Sequence, residues 1–352
     1  MDIRTKLHRL YERRYDQAAN RITLSSAMDK RTLSDTEKYL IGSMEPVSFQ
    51  QSNIVVKTGW RVKNQLETYL NSEGLYPTFD FQGSVTNDTH IRIYSDIDLI
   101  IASGSFFTAT QGAYTSVSAY TQDPATTVRE LRSKSKHGLI KGFPATTVKE
   151  KAKCIGISGG SLQRDVDVVP GNWIKNKNYE RTSLKRYLGI QVLDVETNDW
   201  VNNFPFLHNA MLEFKDNKTG GNLKRIIRLL KTLKEDANMT IDISSYDICG
   251  LAYSFDDDSM TSAFYEGGQF EFLERFLSYS QQLETDIIKQ ASILVPNGTR
   301  LLFSTDGLKV SELKKLNAEL NEVLDDVRPT YVGRLATSLH SAYALQQLLN
   351  GR

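Results

Sequence analysis

The chain has almost no cysteine, no long apolar run and no excess of charge of either sign, and each lack narrows what it can be. Cys154 and Cys249 are its only thiols. They stand far apart and form no CxxC pair, which argues against a zinc ribbon and against a disulfide framework. A reducing, cytoplasmic setting fits. No stretch approaches the roughly 20 apolar residues that a membrane-spanning helix needs, and residues 1–10 are charged and helical in pattern, unlike a secretory leader. The 43 basic residues face 42 acidic ones, a formal net charge of +1. No global field therefore draws in duplex DNA, RNA or an anionic membrane, and any nucleic-acid contact must use a local patch. His8, His90, His137, His208 and His340 show no HExxH or i, i+4 pairing and are assigned to neither metal nor catalysis. Internal repeats and low-complexity segments are missing too.

What is present is ordinary globular composition, 40% hydrophobic and 24% charged over 352 residues, enough for one two-lobed domain or two medium ones. Residues 1 to 40 place Leu7, Leu10 and Tyr11, then Tyr15, Ala18 and Ala19, at helical spacing, with their basic residues expected on a solvated face. A second helical pattern covers 54–70 and ends near Gly74. The period then changes. Residues 79–82 and 91–94 read as short strands, and 96–102 as a longer one, because Ile97, Leu99 and Ile101 alternate with Asp96, Asp98 and Ile100. A helix is expected over 124–136, then strands at 154–158 and 164–169 joined by a Gly159-Gly160-Ser161 turn. Beyond a soft boundary near 202–205 the pattern is mainly helical, closing with helices at 311–324 and 335–349. The expected division is a core of residues 1–200, including the N-terminal helices, and a helical lobe of 201–352.

Chemistry concentrates at Asp96-Ile97-Asp98. Two carboxylates one residue apart on a strand share a face at roughly 7 Å along the backbone, and their repulsion is costly unless cations neutralise it. Magnesium suits them, since it prefers oxygen ligands and is commonly held by one or two carboxylates plus substrate phosphates. A bare acid pair of this kind is more often an exposed strand face. Context shifts that balance. Ser84 lies 12 positions before Asp96, and Gly83-Ser84 ends a β-like run, so a tight turn there presents N–H groups and a hydroxyl to phosphates. Asp165 and Asp167, in Arg164-Asp165-Val166-Asp167-Val168-Val169-Pro170, offer a third carboxylate on a second strand, with Val166 and Val168 turned into the hydrophobic layer. Over residues 221–238 a helical wheel puts Leu223, Ile226, Ile227, Leu230 and Leu233 on one arc, with Lys231 at its edge. From Arg129 to Lys153 eight basic residues stand against Glu130 and Glu150. Such a bias is commonly a solvated helix and loop, and it could also draw in triphosphates or an activating RNA.

Gly83-Ser84, Ser95-Asp96-Ile97-Asp98-Leu99 and Asp167-Val168-Val169-Pro170, in this order and spacing, resemble the DNA polymerase β-like nucleotidyltransferases, and within them the oligoadenylate synthase and cyclic GMP-AMP synthase branch. The resemblance picks Asp167 over Asp165, because that branch's third ligand directly precedes such a Val-Val-Pro run. It implies that Lys231, in Leu229-Leu230-Lys231-Thr232-Leu233, binds phosphate, and that Ser244-Ser245-Tyr246 supplies a serine to the triphosphate and a tyrosine that stacks on a base. The whole set resembles the bacterial CD-NTases, cyclic-oligonucleotide synthases of antiphage signalling.

That resemblance implies an α+β fold, with a polymerase β-like nucleotidyltransferase core containing a mixed sheet plus a helical C-terminal lobe, two-lobed with a cleft between. It implies Asp96, Asp98 and Asp167 as catalytic residues and as ligands of two Mg2+ ions, with Mn2+ as a substitute. Gly83, Ser84, Lys231, Ser245 and Tyr246 become the nucleotide-binding residues. The partners it implies are nucleoside triphosphates (ATP, GTP, UTP or CTP), for a monomer with no dedicated DNA-binding module and open to a regulatory protein or RNA activator. The alternatives are a transferase adding one nucleotide or a linear oligoadenylate to another acceptor, and a non-catalytic nucleotide or RNA binder.

Overall fold

The computed structural model describes residues 1–14, 33–109, 123–261 and 268–350 and divides the chain into two units. One is Pro46–Glu213; the other joins Met1–Glu45 to Phe214–Arg352. Helices of ten or more residues are α1 (Ile3–Arg14), α2 (Asp35–Met44), α3 (Phe49–Ser72), α4 (Pro124–Gly142), α5 (Pro205–Lys218), α6 (Asn222–Asp236), α7 (Ser245–Ser254), α8 (Gly268–Gln282) and α9 (Val310–Asn350). The strands are β1 (Thr78–Gln82), β2 (Ile97–Ala109), β3 (Thr147–Glu150), β4 (Ile155–Ser158), β5 (Val166–Lys175), β6 (Leu188–Leu193) and β7 (Trp200–Asn203).

In the Pro46–Glu213 unit, α3 forms where the sequence signals it and runs a turn further at its start. Ser48 caps it by accepting from the Gln51 N–H, and Val55, Val62, Leu66 and Leu70 make its fully buried stripe. The seven strands form one mixed sheet in the order β1-β2-β5-β4-β3, with β6 on the later half of β5 and β7 beyond β6. β2 and β5 are parallel; the other pairings are antiparallel. Ile97, Leu99 and Ile101 of β2, Val166 and Val168 of β5 and Ile155 and Ile157 of β4 share one core with the α3 stripe and with Leu131 and Leu139 of α4. Each such side chain contributes about 1.5–3 kcal/mol on full burial. Ile100, Val169, Trp173, Ile190 and Val192 form a second cluster. Alternation thus sends Ile97, Leu99 and Ile101 to the helices and leaves Asp98 on the other face.

Residues 91–94 are not a strand. Ile91 and Ile93 are buried while Arg92 and Tyr94 are exposed, which imitates a strand pattern, but the backbone bonds locally: Thr89 N–H donates to the Ser84 carbonyl (2.9 Å) and Ser95 N–H to that of Arg92 (3.3 Å). Alternation without a neighbouring strand makes no ladder. The β4–β5 hairpin forms as expected, with Gly159 and Gly160 both at positive φ in its turn.

In the other unit, α6 is buried on every side, from Ile226 without a break to Leu233. Around it the N-terminal helices are tied by buried ion pairs. Arg13 donates twice to Asp236 (2.6 Å each), which also accepts from the Tyr39 hydroxyl (2.9 Å), and Lys6 donates to Glu319 (2.7 Å). Two expectations change as a result. Lys6 and Arg14 are buried, so these basic residues are not a solvated face, and residues 1–45 pack with the helical unit instead of the sheet. The later division also moves, from 200/201 to within α5. α9 runs unbroken through Pro329 in place of two closing helices; proline there removes one i→i−4 hydrogen bond and crowds the carbonyl four residues back, a cost of about 3 kcal/mol, against which Leu313, Leu316, Leu320, Val323, Leu324 and Val327 bury the first half. The expected helical positions Tyr15, Ala18 and Ala19 lie outside the described residues. Among the described residues no helix is long and apolar enough to cross a membrane.

Candidate active site

The parallel register of β2 and β5 sets Asp98 opposite Asp167. Across β2, Gln82 at the end of β1 lies opposite Asp98; across β5, Gly156 lies opposite Asp167. Side chains facing one another on neighbouring strands share a face, so Gln82, Asp98 and Asp167 gather there. Asp96 and Asp165 stand just ahead of their strands. Both are exposed, whereas Asp98 and Asp167 are half-buried.

Gly83 closes this group. Its φ is +92, and a Cβ added there would lie 2.2 Å from Asp98 Oδ2, so only glycine lets the turn come this near the carboxylate. The turn that follows carries half-buried Ser84 and is heavily braced. Thr86 donates to the Gly83 carbonyl through both its N–H (3.2 Å) and its hydroxyl (2.8 Å). Asn209 of α5 donates to the Thr86 hydroxyl (2.9 Å) and accepts from Asn87 (3.0 Å), and the Thr89 hydroxyl donates to Asn87 Oδ1 (2.7 Å).

Burial, the charge of Asp167 and the charge of Asp96, in that order, push the Asp98 carboxyl up to about 7. Burial, then Asp167 and Asp165, also raise that of Asp96. Lys151 answers part of this excess. Its ammonium donates to both Asp167 oxygens (2.6 and 2.8 Å); burial works against that charge, but the hydrogen bond and charge of Asp167 outweigh it, and the lysine's affinity for its proton rises. Cys154, pushed up to about 12 by burial and by Asp167, is an inert thiol here. Sequence reasoning missed Lys151 as a site residue because it stood among eight basic residues; the β3–β4 hairpin, folded against β5, is what brings it to Asp167.

The donor set suits a hard divalent cation. It is made of carboxylate oxygens that repel one another, with Gln82 Oε1 beside them as a buried acceptor lacking a donor among the described residues. As the side chains stand, no group of three or more His, Cys, Asp or Glu among the described residues is arranged to hold a metal ion; the Lys151 ammonium takes up Asp167 instead.

The other expected residues lie in the helical unit. Lys231 on α6 is 8% exposed; burial lowers its affinity for a proton, and the nearby Cys249 offsets this only in part. Cys249 is one helical turn along α7 from Ser245, so Lys231 and Ser245 belong to one neighbourhood. Ser244 caps α7, accepting from the Asp247 N–H (3.0 Å) and donating to its carboxylate (2.6 Å), which leaves Ser245 exposed as the first helical residue. Tyr246 is half-buried. Its hydroxyl donates to Asn297 Oδ1 (2.6 Å) and the Arg300 guanidinium lies over its ring at 5.4 Å, itself paired with Asp247 (2.5 Å). No local pattern pointed to Asn297 or Arg300, which arrive from a distant loop.

A mixed sheet with one acid just ahead of a strand and a second on it, a third acid on the parallel neighbour and a separate helical unit define a nucleotidyltransferase of the polymerase β-like fold. Residues 210–325 match the family model described as the cGAS/DncV-like nucleotidyltransferase C-terminal helical domain. The chain is 35% identical over 319 residues to a cyclic dinucleotide synthase CdnE of Yersinia aleksiciae, covering 88% of this chain and 82% of that one. It is 26% identical to a c-di-GMP synthase of a Lachnospiraceae bacterium, strain RUG226, over 93% of this chain and 99% of that one. A solved structure of a STING-associated CdnE c-di-GMP synthase from Capnocytophaga granulosa shares the fold at a TM-score of 0.76 and 24% identity, covering 94% of this chain and 100% of that one. The chain belongs to the bacterial CD-NTases, the family of cyclic oligonucleotide synthases.

Proposed function

We propose that the chain condenses nucleoside triphosphates into a cyclic dinucleotide, releasing pyrophosphate, on the face shared by Asp96, Asp98 and Asp167. The observation that carries the reading is the pairing of Asp98 with Asp167 across two parallel strands while the Gly83 turn closes against Asp98. Asp96, Asp98 and Asp167 would hold two magnesium ions, which when bound lower the pKa of an attacking ribose hydroxyl and neutralise charge on the phosphoryl and leaving oxygens. Asp167 accepts or relays the proton of that hydroxyl, and Lys151 occupies its carboxylate until the cation takes its place. The Ser84 hydroxyl and a backbone N–H of its turn hold phosphate oxygens. Lys231 and Ser245 hold the triphosphate, and Tyr246, whose ring is fixed by Asn297 and Arg300, stacks on a base. Stacking tolerates any base; relatives named c-di-GMP synthases support GTP as one substrate. A second condensation at the same face closes the ring, and the product serves as a second messenger of antiphage signalling, made by a cytoplasmic monomer.

The purified chain, incubated with all four triphosphates and magnesium and then with phosphatase, should leave a phosphatase-resistant dinucleotide that Asp98→Asn cannot make. Products that phosphatase degrades completely, or equal turnover by Asp98→Asn, sink the reading.

A further inference from the structure

The basic bias between Arg129 and Lys153 takes a definite form in the fold. Arg129, Arg132 and Lys136 recur every three or four residues along α4 and so share a face; with Glu150 at the end of β3 they line a cavity of about 330 Å³. Arg132 is part of the wall, only 5% exposed. One terminal nitrogen of its guanidinium donates to the carbonyls of Lys151 and Cys154, the latter at 3.1 Å; the other has no partner among the described residues. These two carbonyls flank the β3–β4 turn, so the cationic head is fixed before any ligand arrives and little ordering entropy remains to be lost.

Three cations meet one carboxylate in this cavity. Glu150 accepts from Lys136 (3.0 Å) and stands 3.9 Å from Arg132, while Arg129 is held by the neutral Asn198 side chain (2.5 Å). Burial pulls the Arg132 guanidinium below its usual range, an effect that Glu150 offsets only in part and that the charge of Arg129 adds to. Its positive charge is therefore under-compensated, and a planar guanidinium fork fits phosphate oxygens in pairs. A volume at the small end of ligand pockets admits one phosphate group with a modest substituent and no duplex. The cavity shares no lining residue with the Asp96, Asp98 and Asp167 face.

We propose that this cavity is a second anion site, which binds a phosphate group between Arg129, Arg132 and Lys136. The phosphate is either free or presented by a single-stranded nucleic-acid backbone, and calorimetry on the full chain distinguishes the two. The titrants are inorganic phosphate and a 5′-hydroxyl RNA decamer, in chloride buffer with chelator. The chain should bind at least one of them saturably, and the one it binds names the source. The exposed pair Arg129→Gln/Lys136→Gln, chosen because altering Arg132 would strip the hairpin of its brace, should weaken binding at least tenfold, whereas Asp98→Asn should leave it within twofold. Failure of both titrants to saturate, wild-type binding by the double variant, or equal loss in Asp98→Asn overturns the proposal.

Discussion

Gly83→Ala probes the nearest approach in the acid face, and the structure supplies both its expected size and its control. At φ +92 a residue with a Cβ meets roughly 1–2 kcal/mol of backbone strain. The new methyl would also start 2.2 Å from Asp98 Oδ2, well inside the ~3.5 Å of ordinary contact. The Gly83 carbonyl is held by two bonds from Thr86, so it is the free end of the Asp98 side chain that yields, by about 1 Å. A misplacement of that order costs about 10²-fold in rate. Gly74→Ala separates the two effects, because Gly74 has φ +78 with nothing within 4 Å of an added Cβ. Both variants should lose about 2–8 °C in Tm, from ~1–2 kcal/mol in a unit of this size. Only Gly83→Ala should lose about 10²-fold in the initial rate of pyrophosphate release. A Gly83→Ala enzyme within about threefold of Gly74→Ala would refute the claim that this turn positions Asp98.

Three further outcomes follow from named contacts. Asp98 titrates at about 7 in the folded chain, above its ordinary value, so the folded state binds that proton more tightly than the unfolded one and metal-free stability falls as pH rises from about 4 through 7; Asp98→Asn should flatten the slope and raise the Tm at about pH 8, and superimposable profiles in chelator would count against carboxylate repulsion. Lys231→Met keeps the buried stem, so the Tm should hold or rise, while loss of a charge-assisted contact worth ~1.5–3 kcal/mol should raise the KM for triphosphate at least about tenfold; an unchanged KM would remove Lys231 from the phosphate site. The Lys151–Asp167 pair is open to solvent on the lysine side, 45% against 19% exposed, and so is worth at most about 1 kcal/mol. Lys151→Met should scarcely change the Tm and should tighten magnesium binding to the nucleotide-free chain up to about fivefold, as measured by calorimetry; weaker binding would mean that Lys151 helps the cation instead of competing with it.

Local periodicity made the acid face legible. Ile97, Leu99 and Ile101 pack under the helices because one face of β2 is apolar, and the alternation that shows this also assigns Asp98 to the other face; Val166 and Val168 do the same for Asp167. Contacts between distant residues were not legible. Gly83 touches Asp98 only because β1 pairs antiparallel with β2, and the segment between them is a braced turn instead of the strand that Ile91 and Ile93 suggested. Lys6 pairs with a residue 313 positions away and Arg13 with one 223 positions away. In a local window each is simply a charged residue, and charged residues are usually at the surface, so a local reading keeps the N-terminal helices with the sheet, whereas residues 1–45 pack in one compact unit with the C-terminal helices.

The chain handles buried charge in two opposite ways, and the contrast bears on function. Asp236, fully buried, receives two bonds from Arg13 and one from Tyr39, which is the condition under which a buried ion can be tolerated. On the acid face Lys151 bonds Asp167, and its charge and that of Arg92 offset only part of what burial and the neighbouring acids impose on Asp96. Asp98 bears the cost, its carboxyl held up to about 7. A network completed in one unit and left incomplete in the other is not a general failure of packing, since the same chain achieves completion where only stability is at stake. Uncompensated charge held in place by a braced turn and two paired strands is strain of the kind that persists at functional sites. In the proposed function the missing positive charge would be supplied by magnesium ions, which suit carboxylate oxygens and bind together with substrate phosphates.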